Sequence, residues 1–546
     1  MGTGREHSLF DAAGSAISGK LHTPFREETE MLMSLRRVFL IAAGLIAAGV
    51  LGGCRAETPA AQTACAASDA EIQAWIETPT LPDNPAGTDP ACFFELAWQE
   101  LFAVTQREKG VPRFTAWPPD RVLFPEAGSP PPWKAAPAGM IFRQLRKGLG
   151  LRSGHVDADI VTEAAALTPL TDQRGRWAHY SVVVNQNEYE YIRCCDLYQG
   201  ACFNEMAGLG EQHPGTSLID RPDASIELKM AWRVLETCDL PDSPVPCVPE
   251  DASRYLTVMG EVDPYSAQAP GRKVKLGLVG MHIVQKTSRY KDSIWATFEH
   301  VDNAPGCAQK ADPPPSGWSF FNPDCQDPDK TGRCEENAYC APCPVQVPAD
   351  VAETFNANPK NTWKIPPGNV ITCVPAEATI EFNKPVKMAD GTERWINLFD
   401  PECTRPTIPT QVCRSEPIAL AAPLNEQVRR VLVRLGGDTA VLANYELAGA
   451  LWYDSGGANP VLKPETETAL SNTTMETYLQ SLNEGCVTCH STGVEPAPET
   501  KEEMLFNSTL ADRSLVFQQM RQLGGKCDST KQETRCKAWS EGCPGG

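Results

Sequence analysis

The sequence predicts an α+β protein in which a β-rich central domain lies between a helical N-terminal segment and a helical C-terminal region. Residues from about 176 to 400 favour strands, most clearly Ile226–Val234, where bulky apolar side chains occupy every even position. A period of two residues places one face of a strand in the core. Apolar side chains recur with helical spacing on both flanks of this domain, at 91–106 and at 424–435.

Composition and charge narrow the class of protein. Of the 546 residues, 42% are hydrophobic and 22% are charged, which is typical of a soluble globular chain with more than one folding unit. The net charge is −20, and a surface of that sign repels phosphate backbones, so it argues against a nucleic-acid partner. An acidic surface suits a basic protein partner, although it also keeps a chain soluble without any partner.

An export signal is predicted near the N-terminus. Arg36 and Arg37 precede an apolar run at 38–53, which is too short for a comfortable membrane span. The run ends in Leu-Gly-Gly-Cys, which resembles a bacterial lipobox, so we expect cleavage before Cys54 and lipidation of its thiol. An ordinary signal peptide is the alternative, and both interpretations predict export.

The residues around this signal refine the prediction. Residues 1–30 are polar and fit no export signal, so we expect translation to start at Met31 or Met33. Arg55, rather than an aspartate, follows the lipidated cysteine. By analogy with enteric bacteria, this favours anchoring in the outer membrane, facing the periplasm.

Strand and helix signals continue along the chain. Alternating patterns favour further strands at 180–184, 255–262, 275–286, 293–301 and 379–382. Short or flanking helices are predicted near 69–75 and at 512–523. The 424–435 helix should end at Gly436-Gly437. Thr473-x-x-Glu476 has the pattern of a capping box, which predicts another helix start.

These patterns divide the chain into consecutive regions. In chain order, the regions are a mis-assigned start and a signal peptide at 1–54, a proline-rich tether at 55–90, a β-rich domain at 91–400 with a proline- and cysteine-rich insertion at 302–369, and a helical region with a cysteine-rich tail at 401–546.

The strongest chemical signal is the pentapeptide Cys486-Val-Thr-Cys489-His490. Two thiols at this spacing match the two vinyl groups of haem, and the following histidine supplies the proximal nitrogen to iron. With 21 cysteines and 8 histidines in 546 residues, about 0.01 chance matches are expected. The motif therefore predicts one covalently bound haem c in the helical C-terminal region; a disulfide beside an incidental histidine, or part of a zinc site, are the alternatives.

The remaining cysteines predict disulfides. With Cys54 lipidated and two thiols on haem, the rest of the 21 cysteines are even in number and can all pair in an oxidising compartment. The adjacent Cys194 and Cys195 should pair with different partners. Cys340-x-x-Cys343 lacks a following histidine, so it predicts a structural bridge, with a redox dithiol as the alternative.

Several residues are candidates for the second axial ligand of the iron. Met504 and Met520 are the methionines that follow the motif, and a methionine ligand raises the potential and favours electron transfer. His282 and His300 are further candidates, on two strands joined by a short polar turn.

The pairing of these two strands decides whether the histidines form one site. If cross-strand partners sum to an even number, His282 and His300 share a face with Phe298 beside His300; an odd sum separates them. Glu299, Trp295 and Lys229 are predicted to lie in the same region. Local hydrogen bonding of two structural histidines is the alternative.

Several segments resemble a family of large secreted bacterial proteins of the cytochrome c type with a single C-terminal C-x-x-C-H motif. They are IELKMAWRVL, GLVGMHIV, SIWATFEHVDNAP, SNTTMETYLQ with the following CVTCH, and FFELAWQELFAV, and together they span about residues 92–525. The resemblance implies haem attachment at Cys486, Cys489 and His490. The motifs of this family also contain residues that correspond to His282, Trp295, Phe298 and His300, but the resemblance implies no roles for them. The cysteine-rich insertion and the tail after Cys527 lie outside it.

Three functions fit these observations. The first is a lipid-anchored mono-haem electron carrier with a basic redox partner protein, which predicts six-coordinate iron. The second is a haem-dependent oxidase or peroxidase for a small substrate, which the roughly 400 residues before the motif favour. The third is a non-catalytic binding or redox-sensing lipoprotein.

Overall fold

A large, mainly antiparallel sheet of eight strands organises the protein. The computed structural model describes residues 65–125, 128–134, 140–141, 168–199, 224–235, 250–262, 272–290, 293–308, 312–328, 330–375, 378, 386–394, 396, 398, 408–415, 418–454, 461–464, 470–480 and 536. These residues belong to one unit, which spans Gln62–Gly546.

The strands occur in chain order as β1 Arg107–Glu108, β2 Val111–Pro112, β3 Met140–Ile141, β4 His179–Val184, β5 Ile226–Val234, β6 Thr257–Val262, β7 Arg272–Gln285, β8 Ile294–His300, β9 Tyr339–Gln346, β10 Val370–Val374, β11 Val386–Lys387, β12 Glu393–Arg394, β13 Tyr445–Asp454 and β14 Val461–Lys463. The main path of the large sheet runs β14-β13-β8-β7-β5-β4, with β6 paired to β7 and, in parallel, to β3.

The helices are α1 Asp69–Glu77, α2 Pro90–Thr105, α3 Asp120–Leu123, α4 Gln186–Cys194, α5 Ala349–Ala357 and α6 Ala422–Leu435, with 3-10 helices at Arg113–Ala116 and Asp438–Asn444. None of the helices in the described part of the chain is long and apolar enough to cross a bilayer. The predicted mixture of helices with strands is confirmed.

Local sequence explains why the main elements form. In β5 the even residues from Ile226 to Val234 join the main apolar core, as the two-residue period predicted. Helix α2 starts at the N-cap Asp89, whose carboxylate accepts from the Ala91 backbone N–H. Helix α6 ends at Gly436, whose φ of 67° is readily adopted by glycine.

Helices α1, α2 and α6 cover one face of the sheet. Trp98 of α2 is buried against Phe298 of β8, with ring centroids 5.0 Å apart in an edge-to-face arrangement. The indole N–H of Trp98 donates to Asn425 Oδ1 of α6, which also accepts from the Leu447 N–H of β13. The apolar core therefore lies between this face and the helices.

The described part of the predicted tether is folded, which corrects the boundary at 90. Ile72 and Ile76 of α1 are buried in the main core, and Cys65 is bonded to Cys92 of α2. Gln427 of α6 also donates to the Ala67 carbonyl oxygen. A helix with an apolar stripe needs a partner, and α6 supplies it.

The boundary at 400 is corrected as well. Strand β13 pairs with β8 in the central sheet, and α6 packs in the main core. The sequence pattern, in contrast, predicts a separate helical region at 401–546 that includes both elements. Pairing between strands far apart in sequence leaves no local signal, so the pattern of the sequence did not reveal it.

The predicted disulfides are present throughout the described residues. They link Cys65–Cys92, Cys195–Cys536, Cys307–Cys413, Cys325–Cys334 and Cys340–Cys373, and Cys194 and Cys343 are disulfide-bonded too. The prediction of different partners for Cys194 and Cys195 is confirmed. Cys340 and Cys343 do not bond to each other, so this C-x-x-C is not a redox dithiol. The insertion at 302–369 is stapled as predicted and also holds β9 and α5.

Three further predictions lie outside the described residues. They are the start and signal at 1–54 with its lipidated Cys54, the strand at 379–382, and the last helix at 512–523.

Candidate functional site

The second face of the sheet carries a row of polar side chains between two apolar clusters, one around Val284 and Trp295 and one around Tyr180 and Ala231. Lys229 of β5 lies opposite His282 of β7, which lies opposite Thr297 of β8. In the next row along the strands, Gly280 lies opposite Glu299. All of these residues are buried, so another part of the chain must cover them and satisfy the hydrogen bonds of the polar side chains. We call this surface the polar face and define it by Lys229, Gly280, His282, Thr297 and Glu299.

The cover is the segment Leu470–Gln480, which we call the anchor segment. Asn472 Nδ2 donates to Thr297 Oγ1 at 2.8 Å and to the Phe298 carbonyl oxygen at 3.0 Å. The Thr473 backbone N–H and hydroxyl donate to the two carboxylate oxygens of Glu299, at 2.8 and 2.7 Å. The anchor segment is thus bonded to β8 through both side chain and backbone.

Gly280 lets the anchor segment approach the sheet closely. A Cβ atom at this position would lie 2.3 Å from Thr474 Oγ1 and 2.9 Å from Asn472 Oδ1. These two oxygens are themselves hydrogen-bonded, since the Thr474 hydroxyl donates to Asn472 Oδ1 at 2.8 Å. Any side chain larger than hydrogen at position 280 would therefore displace this turn.

A buried carboxylate on the anchor segment meets a histidine of the polar face. His282 Nε2 and Glu476 Oε1 are 3.0 Å apart, and Glu476 Oε2 accepts from the Asn472 N–H at 2.8 Å. Burial raises the pKa of Glu476, but attraction from His282 and Lys229 and the hydrogen bonds from His282 and Asn472 outweigh it, so the pKa is lowered. Glu476 is therefore an ionised carboxylate that accepts from His282.

The predicted capping box of Thr473 and Glu476 is wrong in its pairing. The anchor segment forms consecutive turns rather than an α-helix. The Thr473 hydroxyl bonds to Glu299, and the Glu476 side chain caps the N–H of Asn472. Because Glu299 is buried and needs donors, it takes the hydroxyl that would have capped a helix.

Glu299 also links the anchor segment to the rest of the chain. Arg414 Nη2 donates to Glu299 and, at 3.0 Å, to Glu446 of β13. Glu299 is fully buried, with one oxygen on the Thr473 N–H and the other shared by Arg414 and the Thr473 hydroxyl. A carboxylate buried at such a depth needs this number of donors.

Tyrosines fix the middle and the C-terminal part of the anchor segment. The Tyr180 hydroxyl of β4 donates to the Thr474 carbonyl oxygen at 2.7 Å. The Tyr478 hydroxyl donates to the Pro169 carbonyl oxygen at 3.2 Å, and its ring stacks on Tyr339 of β9 at 4.3 Å between centroids. The anchor segment is therefore held from several elements at once.

A second charged network occupies the same side of β5. Arg233 Nε donates to Asp172 Oδ2 at 2.9 Å, and Arg176 donates to the same oxygen at 2.9 Å. Glu250 pairs with both arginines. Burial raises the pKa of Asp172, but the two arginines outweigh it and the pKa is lowered. The two carboxylates thus face two buried arginines, and Glu250 is also 2.7 Å from the partly exposed Arg174.

His300 lies on the opposite side of the sheet from His282. Positions 282 and 297 are paired, so their sum is odd and the two histidines are separated, with Phe298 on the side of His300. They do not form one site. Lys229, Trp295 and Glu299 share the side of His282.

Both ring nitrogens of His300 are hydrogen-bonded. Nδ1 accepts from the Asp302 N–H at 3.1 Å, and Nε2 donates to the Arg254 carbonyl oxygen at 2.9 Å. The ring stacks on Tyr255 at 4.2 Å. Burial lowers the pKa of His300 to about 4, so the ring is neutral at pH 7 and has no nitrogen left for iron.

Among the described residues, Cys307, Glu336 and Cys413 are the one group with the spacing of metal ligands. Cys307 and Cys413 form a disulfide, however, and a disulfide offers no thiolate to a metal. We therefore assign no metal site to this group.

The predicted haem-attachment residues Cys486, Cys489 and His490 lie outside the described residues, as do Met504 and Met520. The anchor segment ends at Gln480, whose Oε1 accepts from the Ser415 N–H at 3.2 Å. No family model, curated protein or solved structure matches this chain.

Sequence reasoning noticed some residues of this site and missed others. The sequence pattern points to Lys229, His282 and Glu299 and to the segment SNTTMETYLQ, but not to Gly280, Asn472 or the role of Glu476. A run of Asn and Thr in an otherwise apolar stretch is the signal that could have found them, because buried amide and hydroxyl groups need partners elsewhere in the fold.

Proposed function

We propose that this protein is an extracytoplasmic mono-haem c-type cytochrome that transfers single electrons. The observation that carries the proposal is the pentapeptide Cys486-Val-Thr-Cys489-His490. Its two thiols would hold the haem through thioether bonds, and the His490 imidazole would bind the iron. The haem supplies one-electron redox chemistry, and the protein supplies attachment, orientation and an environment of low dielectric constant.

The state of the other cysteines supports this proposal. All twelve cysteines in the described part of the chain are in disulfides. Disulfides persist in oxidising compartments such as the bacterial periplasm, where c-type haem is attached. The chain around the motif is thus suited to the compartment in which the motif can be loaded.

We prefer an electron carrier to an oxidase or peroxidase because of the histidines. An oxidase or peroxidase needs an open distal site, and His282, His300 and Phe298 could wall such a site only if they shared one face of the sheet. His282 bonds to Glu476, His300 is on the opposite side, and both are buried. Met504 and Met520 remain our candidates for the second axial ligand, which would leave the iron six-coordinate.

We further propose that acyl chains on Cys54 hold the protein at the outer membrane, facing the periplasm. Several acyl chains on one cysteine give stable anchoring. The net charge of −20 suits a basic redox partner, because opposite charges speed association at low ionic strength.

The decisive experiment is maturation of the full chain in a bacterium with haem-attachment machinery. Denatured wild-type protein should keep haem through a wash that removes non-covalent haem, while Cys486→Ser with Cys489→Ser should lose it. The reduced wild-type spectrum should change little with carbon monoxide. A colourless wild-type protein would refute the cytochrome, and a strong carbon monoxide complex would favour the enzyme.

A further inference from the structure

The disulfide that joins the insertion at 302–369 to the chain before α6 has a carboxylate against one of its sulfurs. Cys307 and Cys413 are bonded across 106 residues of sequence. Glu336 is exposed, and its Oε2 lies 3.0 Å from Cys413 Sγ. A disulfide sulfur carries no proton, so this contact is not a hydrogen bond while the disulfide is closed. A Cys413 thiol at the same place would donate its proton to the carboxylate.

The two cysteines differ in their access to solvent. Cys307 is half-buried, whereas Cys413 is only 1% exposed. An incoming thiolate therefore reaches Cys307, and Cys413 becomes the leaving group. The backbone N–H of Cys413 donates to Asn337 Oδ1 at 3.0 Å. Because Asn337 is the neighbour of Glu336, this bond keeps Cys413 beside the carboxylate after the disulfide has opened.

We propose that Cys307–Cys413 is a thiol-exchange site for a dithiol reductant, such as the C-x-x-C pair of a redox protein, and that Glu336 stabilises its open form. One reductant thiolate attacks Cys307 Sγ, the bond between the two protein sulfurs breaks, and the Cys413 sulfur leaves with the electron pair. The second reductant thiolate attacks the reductant sulfur of the mixed disulfide and releases Cys307. The reductant is oxidised to a disulfide, and its two thiol protons end on Cys307 and Cys413. This inference does not depend on the haem.

The open form should act on the anchor segment through Arg414, the residue that follows Cys413. The Cys307 N–H donates to the Arg414 carbonyl oxygen at 2.8 Å, so the disulfide fixes the backbone at this point. The Arg414 guanidinium binds Glu299, which also accepts from Thr473 of the anchor segment. Without the covalent link, the backbone that directs Arg414 towards Glu299 is less restrained, and the anchor segment should open locally more often.

Equilibration of the full chain with mixtures of reduced and oxidised dithiothreitol tests the exchange site. A chelator is present, and the free thiols are alkylated and located by peptide mass spectrometry. We expect Cys307 and Cys413 to open at a less reducing ratio than Cys340 and Cys373, which are 1% and 2% exposed. The proposal is overturned if the buried disulfide opens at the same ratio or at a less reducing one.

Glu336→Gln and its matched control Glu335→Gln test the role of the carboxylate. Both residues are exposed, and both substitutions remove one negative charge, but Glu335 lies outside the group with the spacing of metal ligands. We expect Glu336→Gln to lower the equilibrium constant for opening about three- to tenfold, the scale of one hydrogen bond. We expect Glu335→Gln to leave this constant at the wild-type value. Equal constants in the two variants would remove Glu336 from the proposal.

Hydrogen exchange in the peptide 470–480 tests the link to the anchor segment. Cys307→Ser with Cys413→Ser imitates the open form and should raise exchange in this peptide several-fold. The control is Cys325→Ser with Cys334→Ser, which removes a disulfide between cysteines 9 residues apart in the same insertion and should leave exchange unchanged. If the first double variant does not fold, wild-type protein is compared at dithiothreitol ratios that open and close Cys307–Cys413. Equal exchange in the open and closed forms would overturn the link and leave the exchange site standing.

Discussion

The two faces of the central sheet are both buried, but they are buried by different physical means. The side of Phe298 packs on α2 through apolar and aromatic side chains, and its stability comes from removal of apolar surface from water. The side of Glu299 and His282 is covered by the anchor segment through charged and neutral hydrogen bonds. The apolar side tolerates changes of shape that conserve volume, whereas the polar side requires particular donors and acceptors.

The largest effect is expected from a cavity on the apolar side. Phe298→Ala removes a fully buried ring and should lower the free energy of unfolding by about 3–5 kcal/mol. Phe298→Leu should cost clearly less, because it keeps most of the volume. Urea unfolding of both variants measures the difference, and equal losses would mean that this side is not held by packing.

The polar side should respond in the opposite way to a conservative change. Glu299→Gln keeps the shape but leaves Arg414 without one of its two carboxylates and places an amide among donors. We expect a loss of about 3 kcal/mol in unfolding free energy, the scale for breaking a buried pair. Leu447→Met, a volume-conserving change on the apolar side, should cost less than about 1.5 kcal/mol. A smaller loss for Glu299→Gln than for Leu447→Met would contradict the comparison.

His300 on one side of the sheet and Glu476, the partner of His282, on the other should make the stability depend on pH in two different ranges. Burial lowers the pKa of His300 from 6.5 to about 4, so the unfolded chain takes up a proton first and stability falls as the pH drops from about 6.5 to about 4. His300→Gln should flatten the stability curve in that window. Glu476 has a pKa below its ordinary 4.5, so its contribution is present above that pH and is lost as the pH falls below it.

Glu476→Gln therefore provides the matched test. It should change the slope of stability against pH below about 4.5 and leave the window between 4.5 and 6.5 as in the wild type. Chemical denaturation at a series of pH values measures both variants. Should the two variants flatten the same window, the assignment of one histidine to a neutral stack and the other to a carboxylate pair is incorrect.

The smallest effect is expected away from both sides of the sheet. Val433 on α6 is 66% exposed, so Val433→Ala removes little buried surface and should change the unfolding free energy by less than about 0.5 kcal/mol. A loss above about 1 kcal/mol would mean that the folded protein buries the Val433 side chain.

Much of the sheet was predictable, and most of the site was not. The period of two residues identified β5, β7 and β8 to within a few residues, because alternation is a local property of a strand. The pairing of 282 with 297 was not predictable, and that single register separated His282 from His300. The pairing of Glu476 with Thr473 in a capping box was wrong, because the sequence shows the near neighbours of Glu476 and not Lys229 or His282, which approach it from the sheet.

By itself, the amino-acid sequence determined which residues alternate, where α2 and α6 run, that the cysteines are numerous enough for several disulfides, and that the pattern C-x-x-C-H occurs at 486–490. Tertiary structure alone decided the strand order, which cysteines pair, and that the anchor segment covers the polar face. The physical reason is the separation along the chain between the residues that interact. Periodicity, caps and motifs act between residues a few positions apart, whereas contacts such as Thr473 with Glu299 join residues 174 positions apart and exist only after the chain has folded back on itself.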